Sequence, residues 1–123
     1  MRILVVEDDH KVAGFIQAGL EQEGHAVDVL HDGNSAGDQA RAMDYDAVIL
    51  DLMLPDIDGF EVCTRLKRED DTRGVPVIIL TAMAGEANRK RGHACGASEY
   101  LTKPFDPDSL MAALEKHAKN GSK

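Results

Sequence analysis

Five short apolar runs recur along the chain at regular spacing: Ile3–Val6, Ala26–Leu30, Ala47–Leu50, Val77–Leu80 and Glu99–Leu101. Three of them, Ile-Leu-Val-Val, Ala-Val-Ile-Leu and Val-Ile-Ile-Leu, are continuous rather than alternating. A strand with helices on both faces has no polar side, so this pattern predicts a parallel sheet buried between two helical layers. Helical periodicity fills the gaps. Val12, Phe15, Ile16, Ala18 and Leu20 form an apolar stripe that stops before Gly24. Ser35 to Met43 is a weaker, Ala-rich pattern containing Gly37. Phe60, Val62, Cys63 and Leu66 mark a third helix, ending in Lys67 and Arg68, which suits the helix dipole. Glu86 to Cys95 is polar and predicts the least firmly held helix. Asp106-Pro107-Asp108 reads as an N-cap followed by Pro at the first helical position. Leu110, Ala113, Leu114 and Ala118 then give the last helix its apolar face.

Strict strand–helix alternation with short turns predicts an α/β fold of (βα)5 type, a three-layer sandwich around a parallel five-stranded sheet. Ligands in such sheets bind at the carboxyl ends of the strands. Those ends carry Glu7-Asp8-Asp9, Asp51, Thr81-Ala82 and Thr102-Lys103. Three carboxylates at close range repel one another, and a small hard dication relieves that repulsion. Mg²⁺ suits a site of one or two carboxylates, a backbone carbonyl and waters. Lys103 adds a fixed positive charge and Thr81 a hydroxyl. A metal, a lysine and a hydroxyl around one nucleophilic carboxylate are what phosphoryl transfer requires.

Size and charge narrow the reading. The chain has 123 residues, the size of one domain, expected over residues 1–119 with a polar tail at 120–123. Fourteen basic against 22 acidic residues give a net charge of −8, a field that repels nucleic acid. The run Arg89, Lys90, Arg91 reads as a solvated helix face. Cys63 and Cys95 lack CxxC spacing and are expected as free thiols, buried or half-buried, in a reducing compartment. No apolar run is long enough for a signal peptide or a membrane span, so the expected location is the cytoplasm. The five histidines show no metal spacing and are expected as surface or packing residues.

The set Val5-Val6-Glu7-Asp8, Leu50-Asp51-Leu52-Met53-Leu54-Pro55-Asp56, Asp58-Gly59, Leu80-Thr81-Ala82 and Tyr100-Leu101-Thr102-Lys103-Pro104-Phe105 closely resembles the receiver domains of response regulators in two-component signalling. The resemblance covers essentially the whole chain. It implies a CheY-like, flavodoxin-like fold with strand order 2-1-3-4-5. It further implies that Asp51 accepts a phosphoryl group from a phosphohistidine of a sensor histidine kinase or phosphotransfer protein. Asp8, Asp51 and the Met53 backbone carbonyl would ligate Mg²⁺, with Glu7 acting through water. Lys103, the Thr81 hydroxyl and the Ala82 amide would hold the phosphoryl oxygens. Tyr100 would move from outward to inward as a switch together with Thr81, changing the surface of helix four, strand five and helix five that a downstream effector protein reads. A cis Lys103–Pro104 bond is expected.

Each of these residues has a plainer role when taken alone. Asp9 reads as a helix N-cap, Thr81 could satisfy a local amide and Lys103 could be surface charge; their joint placement on successive strand ends is what favours chemistry. A small Mg²⁺-dependent phosphatase would want an acid at position 53, where Met53 stands. A flavin module would want Ser, Thr and Gly after the first strand, where Glu7-Asp8-Asp9 stands. Enzymatic turnover is therefore not expected beyond self-phosphorylation and autodephosphorylation. The last helix, Leu110 to His117, lacks the arginines with which related receivers dimerise, so a monomer or weak dimer is expected. His93 stands where relatives have an apolar residue. A receiver excised from a larger regulator with a DNA-binding or enzymatic output fits the same residues.

Overall fold

The computed structural model describes residues 1–118; the expected tail at 120–123, and Lys119 at the expected domain end, lie outside the described residues. Ten elements alternate: β1 (Arg2–Val6), α1 (His10–Gln22), β2 (Ala26–Leu30), α2 (Ala36–Ala42), β3 (Ala47–Leu50), α3 (Gly59–Arg68), β4 (Val77–Thr81), α4 (Glu86–Ala94), β5 (Glu99–Thr102) and α5 (Pro107–His117). The strands pair in parallel in the order β2-β1-β3-β4-β5. Every residue of β3 and β4 is buried, as the continuous apolar runs require. The edge strands β2 and β5 bury only Val27 and Tyr100.

Alternate strand residues point to opposite faces, and two cores result. Leu4, Val6, Val48, Leu50, Val77 and Ile79 pack with Ala36, Ala40, Phe60, Val62, Cys63 and Leu66 from α2 and α3. Ile3, Val5, Ala47, Ile49, Ile78 and Leu80 pack with Ile16, Leu20, Leu110, Ala113 and Leu114 from α1 and α5. Aliphatic side chains dominate both layers.

The helix ends follow local chemistry. The Asp9 carboxylate accepts from the Lys11 and Val12 amides at the start of α1, and Gly24 adopts a φ of 90° just beyond its end. Asp106 accepts from the Asp108 amide, with Pro107 opening α5. Helix α2 is one residue shorter at each end than the periodicity predicts, with Ser35 and Met43 as its caps; the Asp32 carboxylate accepts from the Ser35 amide before the start, and Met43 is extended. Thr81 and Thr102 are the last residues of β4 and β5 rather than loop residues; they pair with each other in register. The Lys103–Pro104 peptide is cis.

Helix α4 ends at Ala94, with Cys95 as its cap, and Gly92 is its single buried residue among those described. The basic run faces solvent as expected, with Lys90 and Arg91 exposed and Arg89 half-buried, but two of its members also reach aromatic rings. Arg89 lies over the Tyr100 ring, and Arg91 lies 4.0 Å over the Phe60 ring and pairs with Asp58 at 3.6 Å. Of the three, Lys90 alone makes no ring contact among the described residues. Cys63 is buried and Cys95 half-buried, both as free thiols. Burial pushes the Cys63 thiol up to about 12. Among the described residues no helix is long and apolar enough to cross a membrane.

Candidate functional site

Strands β1 and β3 are neighbours, with Val6 opposite Leu50. The next residue on each, Glu7 and Asp51, therefore emerges side by side at the carboxyl edge, and the Asp51 amide donates to the Val6 carbonyl at 3.0 Å. Both carboxylates are buried, Glu7 at 2% and Asp51 at 5% exposure. Lys103 follows β5, and its amide donates to the Thr81 carbonyl, which turns the chain back over the sheet edge. Its Nζ lies 3.0 Å from Asp51 Oδ2 and also pairs with Glu7 Oε1. The remaining oxygens are used as well: Asp51 Oδ1 accepts from the Met53 amide at 3.1 Å, and Glu7 Oε2 from the Asp9 amide at 3.0 Å.

This arrangement sets the charges. Burial alone would raise Asp51, but the Met53 amide, the Lys103 ammonium and the Thr81 hydroxyl together hold its carboxyl below the usual range. Burial wins for Glu7 and, with the neighbouring Asp51 charge, raises it despite Lys103 and the Asp9 amide. Burial would lower Lys103, and its bonds to Glu7 and Asp51 raise it instead. Asp51 is thus an ionised carboxylate held in a partly desolvated cleft beside a fixed ammonium.

Thr81 is fully buried, and its hydroxyl accepts from the Met83 amide at 3.3 Å. Ala82 is exposed beside it. Tyr100 is inward and buried, its hydroxyl donating to the Met83 carbonyl. Asp8 sits exposed at the rim, and the Met53 side chain is 58% exposed. Glu7, Asp51, Thr81 and Lys103 are therefore brought together, while Asp8, Met53 and Ala82 border them. The Lys103–Glu7 pair was not part of the sequence reading, which gave Glu7 to the metal through water.

Three supporting residues also escaped that reading. A Cβ on Gly59 would lie 2.4 Å from Leu52 Cα and 2.6 Å from the Asp51 carbonyl oxygen, so α3 begins pressed against the backbone that carries Asp51. The Asp56 carboxylate accepts from the Gly33 and Asn34 amides at 2.9 and 2.7 Å, tying the β3–α3 loop to the β2–α2 loop. His31 Nδ1 lies 2.9 Å from the Glu7 carbonyl, and its ring stacks on His10 at 3.8 Å. The Asp-Gly pair was a visible signal for Gly59, Asp56 stood in the motif without a role, and nothing in the sequence marked His31.

The donor set fits Mg²⁺. Glu7, Asp8 and Asp51 supply three carboxylates against one ammonium, an excess of negative charge on hard oxygen atoms. Among the described residues no group of three or more His, Cys, Asp or Glu side chains is placed to cage a metal. Mg²⁺ needs no such cage, since it keeps several waters and takes one or two carboxylates.

The comparisons agree with this geometry. The response regulator receiver domain family matches residues 3–115. The chain is 47% identical over 121 residues to the transcriptional regulatory protein TcrA of Mycobacterium tuberculosis, covering 98% of this chain and 47% of that one. It is 40% identical to the DNA-binding dual master transcriptional regulator RpaA of Synechocystis, covering 92% of this chain and 47% of that one. The chain thus spans about half the length of the curated relatives it matches. Among solved structures, the BeF3-activated N-terminal receiver domain of Klebsiella pneumoniae RstA superposes with a TM-score of 0.90 at 32% identity, covering 98% of this chain and all of that one. The receiver domain of a Pseudomonas aeruginosa sensor histidine kinase, described with a magnesium ion coordinated in its active-site cleft, gives 0.87 at 34% identity, covering 94% and 95%. A family match over nearly the whole chain, a sheet in the order 2-1-3-4-5 and an acidic cluster with a lysine at its carboxyl edge lead to one conclusion: the chain belongs to the CheY-like response-regulator receiver domains, the phosphoacceptor modules of two-component signalling.

Proposed function

We propose that Asp51 is the phosphoacceptor. An Asp51 oxygen attacks the phosphorus of a phosphohistidine on a sensor histidine kinase or phosphotransfer protein; the P–N bond breaks, the imidazole leaves and an acyl phosphate forms. The observation that carries this reading is the environment of Asp51, an ionised carboxylate buried in the cleft with Lys103 Nζ 3.0 Å away. Lys103 then follows the charge from the carboxylate onto the phosphoryl oxygens. The Thr81 hydroxyl, turning its proton from Asp51 to a phosphoryl oxygen, and the Ala82 amide hold the other oxygens. Asp8, Asp51 and the Met53 carbonyl would hold Mg²⁺, with Glu7 acting through water, and a dication held there would supply neutralising charge to the transferring group. Phosphorylation adds about two negative charges and strong acceptors at the sheet edge, and Thr81 and Tyr100 pass the change to the α4–β5–α5 surface.

The partners on this reading are the kinase or phosphotransfer protein and a downstream effector protein, met in the cytoplasm, with no membrane contact. The domain itself makes no nucleic-acid contact, acts as a monomer or weak dimer, and is no enzyme beyond its own phosphorylation and dephosphorylation. A second reading has a specific observation behind it. The relatives named as transcriptional regulators are about twice as long as the matched region, so this domain can also serve as the receiver part of a longer regulator.

The test is intact-protein mass after incubation with a small-molecule phosphodonor, with and without Mg²⁺. One added phosphoryl group that needs both Mg²⁺ and Asp51 is expected, with Asp51→Asn giving none. An adduct that persists in Asp51→Asn overturns the assignment.

A further inference from the structure

Tyr100 is buried on an edge strand whose other residues are only partly covered. Its cover comes from α4. Gly92 is buried there, and a Cβ on it would lie 2.8 Å from Tyr100 Cδ2, 3.2 Å from Cε2 and 3.0 Å from Ile79 Cδ1. Carbon atoms in comfortable contact sit about 3.5–4.0 Å apart, so a side chain at 92 and the inward ring compete for one space. Three residues earlier, on the same helix face, the Arg89 guanidinium lies 5.5 Å over the ring centroid and donates to the Tyr100 carbonyl at 3.1 Å. The Met83 carbonyl takes the phenol hydroxyl, while the Met83 amide donates to Thr81. A continuous set of contacts therefore runs from Thr81 through Met83 and the Tyr100 ring to α4.

We propose that Gly92 and Arg89 are positioning residues that build the inward seat of Tyr100, Gly92 by leaving the ring its room and Arg89 by covering its face. A glycine inside a helix weakens it relative to alanine, and α4 has no apolar stripe to compensate. The helix gives up local stability at the point where the ring needs room. With the ring outward, α4 loses the contact at Gly92 with the ring and the cation–π contact of Arg89, and keeps the Arg91 contacts to Phe60 and Asp58. This inference rests on the reading of Thr81 and Tyr100 as the switch and names the residues that give the switch its second half.

The test uses the chain with carbon-13-labelled tyrosine and no phosphodonor. There are two tyrosines, so Tyr45 serves as an internal control for folding. Nuclear Overhauser contacts from the Tyr100 ring to the Ile79 methyl and the Gly92 α-protons are expected in the parent, from the inward population of the two-state equilibrium that phosphorylation would enlarge. Gly92→Ala should abolish the Ile79 contact and move the Tyr100 ring shifts toward those of an exposed tyrosine, leaving Tyr45 unchanged. Arg89→Met should shift them the same way to a smaller extent, and Arg89→Lys, which keeps a cation over the ring, should restore most of the parent signal. Gly92→Ala should also lower the urea midpoint with Tyr100 present and raise it in a Tyr100→Ala background, where only the helix-propensity gain remains. Tyr100 contacts that persist in Gly92→Ala, or the same sign of midpoint change in both backgrounds, overturn the proposal. Should Gly92→Ala not fold, unchanged ring contacts in Arg89→Met overturn it. Because no phosphodonor is used, failure of Asp51 to accept a phosphoryl group would leave these outcomes intact.

Discussion

Helices α3 and α4 lie on the same face of the sheet and are nearly equal in length, yet they are held by different forces. Helix α3 buries Gly59, Phe60, Val62, Cys63 and Leu66, is capped by Asp58, and places three basic residues in its last turn. Helix α4 buries Gly92 alone and has no side-chain cap; Gly85 precedes it at a φ of 109°. What fastens α4 is directional: Arg89 to Tyr100, and Arg91 to Phe60 and Asp58. Apolar burial is non-directional and strong in sum, whereas a partly exposed cation–π contact is worth about 0.5–2 kcal/mol. One helix is therefore scaffold for the loop that carries Asp51, and the other is able to move at small cost.

The largest expected difference between them is in truncation. Leu66→Ala in α3 should cost about 3 kcal/mol of unfolding free energy, since it deletes a buried side chain in a close-packed core. Lys90→Ala in α4 should stay within about 0.5 kcal/mol. Urea titration measures both, and equal losses would end the contrast. Native-state hydrogen exchange should show it next: α3 amides should open only with the global transition, and α4 amides about 2 kcal/mol or more below it. Equal protection of the two helices would mean that α4 is anchored by something other than the contacts described. Arg91→Ala should then cost about 1 kcal/mol, reflecting mainly the stack on Phe60, because the partner Asp58 is an exposed carboxylate. The same measure would sharpen the comparison if α4 exchange quickened while α3 exchange did not change.

The smallest effect is in pH. Lys103 is raised in the folded state, so its contribution is fully present below its unfolded value, about 10.4, and is lost as pH rises through the folded value. Asp51 is lowered, so its contribution is present above its unfolded value, about 3.9, and fades as pH falls through the folded value. Glu7 is raised, and its contribution is lost as pH rises through its folded value, opposing Asp51 in the acid range. Lys103→Met should therefore remove the Lys103 share of the alkaline limb of the stability profile, leaving that of the raised Cys63 and Tyr45. It should also raise the Asp51 carboxyl, read by carbon-13 carboxyl titration; an unmoved Asp51 would show that Lys103 does not hold it.

Most of the fold was legible because burial on both faces of a strand leaves continuous apolar runs, and β1, β3 and β4 carry them. The bounds of β2 and β3 were legible as they stand, whereas β1, β4 and β5 each run one residue past their apolar runs, through Arg2, Thr81 and Thr102, because backbone pairing continues where the side chain is polar. Glu7, Asp51, Thr81 and Lys103 were legible as a group because strand ends are numbered by the alternation itself, and parallel pairing brings those ends together. Asp56 and His31 were not, since their partners lie on a different loop, 22 to 24 positions away. The arginines of α4 were legible as a solvated face but not as ring partners, because the ring that a charged side chain covers is known only once the helix has packed.

The amino-acid order by itself determined the alternation, the burial of the central strands, the helix caps at Asp9 and Asp106, and the four chemical groups on the sheet edge. These depend on periodicity and on neighbours within a few positions. Tertiary structure alone decided that Lys103 bridges Glu7 and Asp51, that Gly92 leaves room for the Tyr100 ring, and that α4 is fastened through Arg89 and Arg91. Each of those contacts joins side chains from different elements, and their distances exist only once the helices have packed onto the sheet.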